Sequence, residues 1–146
     1  MTDTMYLEFT DEKKQHELTT ANFNKFKDYA VKWQSKLGLA DWCIEFSFGN
    51  KDEFPDLDGN KAIAAMNRNG MAATICLNKN WAICSPTDRN LERCAIHELL
   101  ELMLRPLNVL ASARFNVDEA DIEYETHRII RRFENLLAEL NPGEFN

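Results

Sequence analysis

His97, Glu98 and Glu101 lie in the stretch Leu91-Glu-Arg-Cys-Ala-Ile-His-Glu-Leu-Leu-Glu-Leu-Met-Leu104, and their types and spacing suit a divalent metal ion. Helical residues four apart point the same way, so the imidazole of His97 and the carboxylate of Glu101 can reach one ion. Glu98, one position round, then faces a water beside that ion without being a ligand. The string is the HExxH arrangement with glutamate in place of the second histidine. Zinc held by three protein ligands keeps a fourth position for water and lowers its pKa towards about 7. Glu98 is placed to accept that water's proton as it attacks a carbonyl, and to hand it to a leaving amine.

The surrounding residues strengthen this reading. Each helical residue turns the chain by about 100°, so with His97 as zero, Glu98, Glu101, Cys94 and Arg105 fall within a wedge of about 100°. Leu91, Ala95, Ile96, Leu99, Leu100, Leu102, Met103 and Leu104 take nearly all the remaining circumference. A helix apolar on almost every side is normally buried. Its polar stripe is therefore expected to open onto a cavity or onto buried partners, because unpaired charge in a core is costly. His16-Glu17 has Thr20 at the fourth position and no such pattern around it, so it carries no weight.

One helix supplies two ligands, and the expected donor of a third is the long helical pattern that follows. There Ile122, Ile129, Ile130, Phe133, Leu136, Leu137 and Leu140 make a core face, with Glu123, His127 and Glu134 along one flank. His127 is the expected third ligand, and Glu123 is the alternative. If His127 binds, Glu123 is placed to orient its imidazole from one turn earlier. Cys94, one turn before His97, is read as a small buried hydrophobe, with a fourth ligand or a nucleophile as the other roles open to it. Trp33, Trp42 and Trp81 read as core and pocket wall. Arg128, Arg131 and Arg132 read as a solvated helix face.

The elements that must hold these residues follow from periodicity. Residues 21–37 carry Phe23, Phe26, Tyr29, Ala30, Trp33 and Leu37 at helical spacing and stop at Gly38. Trp42, Ile44, Phe46 and Phe48 alternate along a strand. Two more strands, 61–66 and 71–77, flank Asn69-Gly70, a strong hairpin signal. Helices over 90–104 and 118–140 follow, joined by a segment containing Pro106, and Asn141-Pro-Gly143 ends the second. The expectation is an α+β fold in a single domain over 1–146: an N-terminal arm (1–20), a helix (21–37), a small three-stranded, mostly antiparallel sheet (41–78), a motif helix (90–104) and a long C-terminal helix (118–140).

Composition narrows the classes. With 146 residues, 45% of them hydrophobic, the chain is long enough to bury a core of its own. Its net charge of −7 is spread without a block of one sign, which disfavours nucleic acid as a partner. No segment approaches the roughly 20 apolar residues of a membrane span. The first residues lack the basic and apolar regions of a signal peptide, and the four cysteines form no CxxC pair, so a cytoplasmic location is expected.

Trp33-Gln34, Leu37-Gly-Leu39, Asp41-Trp42, Ile75-Cys-Leu-Asn78 with Trp81, Ala95-Ile-His-Glu-Leu-Leu-Glu101 and His127-Arg-Ile-Ile-Arg-Arg-Phe-Glu-Asn135 together carry a resemblance. The chain, from about Phe23 to Leu137, resembles a group of small bacteriophage and prophage proteins described as zincin-like metallopeptidases. The resemblance implies a compact zincin-like core, a zinc ion, and a peptide or protein substrate held along a strand beside the motif helix, which falls to residues 71–77 here. It implies amide hydrolysis with Glu98 as general base, in the cytoplasm of a bacterial host. The alternative is a non-catalytic zincin-like protein that binds a host or phage protein. Glu101 departs from the general zincin pattern yet keeps metal binding, since carboxylates also ligate zinc.

Overall fold

The computed structural model describes residues 15–67, 71–113 and 117–140. The expected Asn69-Gly70 turn, the stop after residue 140 and most of the N-terminal arm lie outside them.

The first long element is helix α1, Thr20–Lys36. Thr19 caps it: its hydroxyl accepts from the Asn22 backbone N–H while the Asn22 side chain accepts from the Thr19 N–H, so two orphan donors are met reciprocally. The helix ends at Leu37, and Gly38 follows at φ +69°, a left-handed turn that glycine adopts without strain. Phe26 and Ala30 are fully buried on its inner face. Phe23 stacks on Phe48 at 4.9 Å, and Phe26 meets Phe46 edge-on at 6.3 Å.

Those partners lie on strand β2, Cys43–Gly49, which belongs with β3, Ala62–Asn67, and β4, Ala72–Asn78, to a three-stranded sheet. The strand order is β2-β4-β3. β3 and β4 pair antiparallel, from Asn67 opposite Ala72 to Ala62 opposite Leu77. β2 and β4 pair parallel, from Cys43 opposite Ala72 to Gly49 opposite Asn78. The sheet is thus mixed, where a mostly antiparallel one was expected. Residues 71–77 form most of its central strand, hydrogen-bonded on both sides, and so offer no free edge for a peptide. The free edges belong to β2 and β3. A small second sheet pairs β1, His16–Glu17, with β5, Asn80–Trp81, and ties the start of the described chain to the end of β4.

The motif helix, α2, runs from Asp88 to Ser112, capped by Thr87, whose hydroxyl accepts from the Asn90 N–H. It continues through Pro106 instead of stopping near Leu104. Leu91, Cys94, Ala95, Glu98, Leu99, Leu102 and Met103 are its buried residues, an alternation of three and one that marks a single inward arc. That arc joins the core with Phe26, Leu39, Ile75, Leu77 and Trp81, each fully or almost fully buried. Each such side chain contributes roughly 1.5–3 kcal/mol on leaving water. Lys25 pairs with Asp88 and Lys32 with Glu92, both across α1 and α2, and the Trp33 indole also donates to Glu92.

The last helix, α3, Glu119–Leu140, lies against α2 with a rotation that its apolar pattern did not predict. Ile129 and Leu136 pack on the core, but Ile122, Ile130, Phe133 and Leu137 are 41–47% exposed. Half-buried instead are Glu125, Arg128 and Arg132, with Arg132 Nε directed at the Gly38 carbonyl at 3.4 Å. The helix presents the arginine side of its apolar stripe to the body. No helix among the described residues is long and apolar enough to cross a membrane.

Candidate metal centre

α2 brings His97, Glu98 and Glu101 together. One ligand atom from each lies within 4.8 Å of the others, the one such group of three or more His, Cys, Asp or Glu side chains among the described residues. The group could hold a metal ion. His97 Nε2 and Glu101 Oε1 are 3.4 Å apart, with side chains 69% and 50% exposed. Glu98 differs from both, being only 4% exposed.

Helix geometry explains the difference. The buried arc of α2 is centred near Ala95 and Leu102. Taking His97 as zero, Glu98 at about 100° falls inside that arc, whereas Glu101 at about 40° and His97 itself stand at its solvent edge. The polar stripe therefore opens to water along one side, and Ile96 and Leu100 are only half-buried and Leu104 46% exposed, so α2 is less enclosed than its composition suggests.

Burial, then the charge of the neighbouring Glu101 carboxylate and a hydrogen bond to it from the protonated Glu98 carboxyl, push Glu98 up from the usual carboxylate range to about 8. Its Oε2 is buried without a hydrogen-bond partner. A buried acceptor left unpaired costs roughly 1–3 kcal/mol, and a cation beside it would supply the missing partner. The donors, one imidazole and two carboxylates, suit a divalent transition ion such as zinc. The Glu98 carboxylate shares the group with His97 and Glu101, so its position permits ligation as well as contact with a water.

The other expected participants are elsewhere. His127 is exposed, and its Nδ1 lies 2.8 Å from the Glu123 carbonyl oxygen one turn back on α3. Glu123, His127 and Glu134 do share a flank, but it is turned roughly half a circle from the inward Arg128, Ile129, Arg132 and Leu136. None of the three joins the group on α2. Cys94 is buried behind Glu98, and desolvation, helped by the Glu98 charge and opposed by Lys61, raises its thiol to about 12. It stays a thiol, the state expected of a small buried hydrophobe. Trp42 and Trp81 are buried as expected, and the Trp81 indole donates to the Lys61 carbonyl.

Sequence reading missed the arginines. Arg128 and Arg132, four apart on α3, line a cavity with Arg105 of α2 instead of forming a solvated face. Their i, i+4 spacing was visible, but not the turn of the helix that brings them inward. Comparison with protein-family models, with curated proteins and with solved structures finds no match to this chain.

Proposed function

We propose that this chain is a zinc-dependent hydrolase of peptide or related amide bonds, a small zincin-like metallopeptidase of the kind that bacteriophages and prophages encode. The observation that carries the reading is the buried Glu98 carboxyl with an unpartnered oxygen, set within 4.8 Å of donor atoms of His97 and Glu101. A buried acceptor left unpaired asks for a donor or a cation, and here the ligand atoms of His97 and Glu101 stand beside it. His97 and Glu101 would hold the ion. Zinc bound there supplies a Lewis acid and a water whose pKa is lowered towards about 7.

Glu98 performs the proton transfers. A carboxyl that titrates near neutrality suits both of them, since it takes a proton from the attacking water and returns it to the departing amine. Its burial restricts where it can point, and its carboxyl lies within 4.8 Å of donor atoms of His97 and Glu101, where an ion would be held. His97 and Glu101 are exposed, so a substrate carbonyl could reach them from solvent.

The experiment is elemental analysis with paired variants. The wild-type chain is expected to carry about one zinc, and His97→Ala and Glu101→Ala to lose it. Glu98→Gln is expected to keep zinc and fold while hydrolytic activity falls by roughly 10²-fold or more. A chain without metal that shows no thermal shift on adding zinc overturns the metal reading. Zinc loss in Glu98→Gln would make Glu98 a ligand.

A second reading is favoured by the exposure of His97 and Glu101 and by the absence, among the described residues, of a third donor from another element in the group. So shallow a site also suits a non-catalytic protein that binds a partner. Metal retention with no hydrolysis of any peptide in a library would favour it.

A further inference from the structure

α2 and α3 border an open cavity of about 410 Å³ with Trp42 at its wall, none of whose lining residues belongs to the His97 group. It falls within the size range of small-molecule sites. The half-buried Pro106, Val109 and Leu110, with buried Trp42, Leu102 and Met103 behind them, give it an apolar floor. Three arginines line the same cavity: Arg105 from α2, and Arg128 and Arg132 from α3.

Two acids, Asp121 and Glu125, also line the cavity. Glu125 is engaged with Arg128 at 3.4 and 3.5 Å, and Arg128 lies over the Tyr124 ring at 5.9 Å. Arg132 has only the long contact to the Gly38 carbonyl, and Arg105 has no partner among the described residues. A chain of net charge −7 thus lines one apolar cavity with three arginines and two acids, one of the acids paired. Guanidinium groups of this kind match a carboxylate in geometry as well as charge.

We propose that this cavity binds a small free organic acid, its apolar body against Trp42, Pro106, Val109 and Leu110 and its carboxylate among Arg105, Arg128 and Arg132. The charge of the site selects an anion, and the floor selects one with a hydrocarbon body. The site does not depend on the metal reading, since none of its residues belongs to the His97 group.

Calorimetric titration of the full chain with octanoate, and with 1-octanol as the uncharged counterpart, tests the proposal. Octanoate is expected to bind at least about tenfold more tightly than octanol, an advantage that shrinks as salt is raised. Arg105→Gln and Arg132→Gln are each expected to weaken octanoate about tenfold without altering octanol binding. Arg131→Gln, an exposed residue outside the cavity, is expected to change neither. Thermal melts check that each variant folds. Arg105 is exposed and unpartnered among the described residues, so Arg105→Gln keeps the test valid even if Arg132→Gln unfolds. No heat of binding at millimolar octanoate, equal binding of octanol, or undiminished octanoate binding in a folded Arg105→Gln chain would each overturn the assignment.

Discussion

Cys94 and Glu98 sit one helical turn apart on α2, and their burial decides what each can do. Desolvation, with the Glu98 charge added, holds the Cys94 thiol at about 12, so almost no thiolate forms at pH 8. Reactivity follows the thiolate and its access. Iodoacetamide at pH 8 is therefore expected to label exposed Cys43 in the native chain and to leave Cys94 unlabelled until denaturant is added, as peptide mass spectrometry can read. Labelling of native Cys94 at the rate of Cys43 would contradict the buried, inert role. Glu98 is the converse case: the same burial that silences a cysteine gives a carboxyl a titration near neutrality and leaves one oxygen in want of a cation.

At the level of elements, α2 carries a conformational cost within its own length. Pro106 lies inside the helix. Its missing N–H leaves the Leu102 carbonyl without its helical donor, and its ring crowds that same turn. The helix continues because Leu107, Val109 and Leu110 beyond it are half-buried. Pro106→Ala is expected to raise the urea midpoint, by about 1–3 kcal/mol in unfolding free energy, with the m-value unchanged. A lower midpoint would mean that the ring's contacts at the cavity wall outweigh the lost hydrogen bond. Elements were legible in the sequence where a strong local period met a clear stop: Phe23, Phe26, Tyr29, Ala30 and Trp33 mark α1, and Gly38 ends it. Within the site, the spacing of His97 and Glu101 was enough to bring their ligand atoms together. What the sequence did not carry was partner choice. Alternation in Ile44, Phe46 and Phe48 marks a strand but is silent on whether β4 or β3 lies beside it. The apolar stripe of α3 is broad enough that either Ile130 and Phe133 or Arg128 and Arg132 could accompany Ile129 inward, and in the fold the arginine side goes in, with Arg132 reaching the Gly38 carbonyl.

For the molecule as a whole, Glu98 sets how stability depends on pH in the metal-free chain. Its folded value is raised to about 8, above the ordinary carboxylate range that it has when unfolded. Between roughly pH 4.5 and pH 8 the folded state then holds a proton that the unfolded state has released, so this group's contribution is full at low pH and is lost as pH rises through 8. The slope is at most about 1.4 kcal/mol per pH unit, or roughly 4 °C in melting temperature for a chain of this size. Glu92 works in the opposite sense: the Trp33 and Lys32 contacts hold its carboxyl below the ordinary value, so its contribution is lost only as pH falls into the acid range. The melting temperature of the chelated wild-type chain is therefore expected to fall from pH 5 to pH 8. Repulsion among the acids behind the −7 net charge also depends on pH, which makes the Glu98→Gln chain the necessary reference, since its amide does not titrate. The difference between the two melting curves isolates the Glu98 contribution, and added zinc should reverse its sign, because the ion favours the ionised carboxylate that burial alone disfavours. Parallel curves for wild type and Glu98→Gln in chelator would mean that Glu98 is not held protonated by the fold, and would remove the reason for expecting a cation at its buried oxygen.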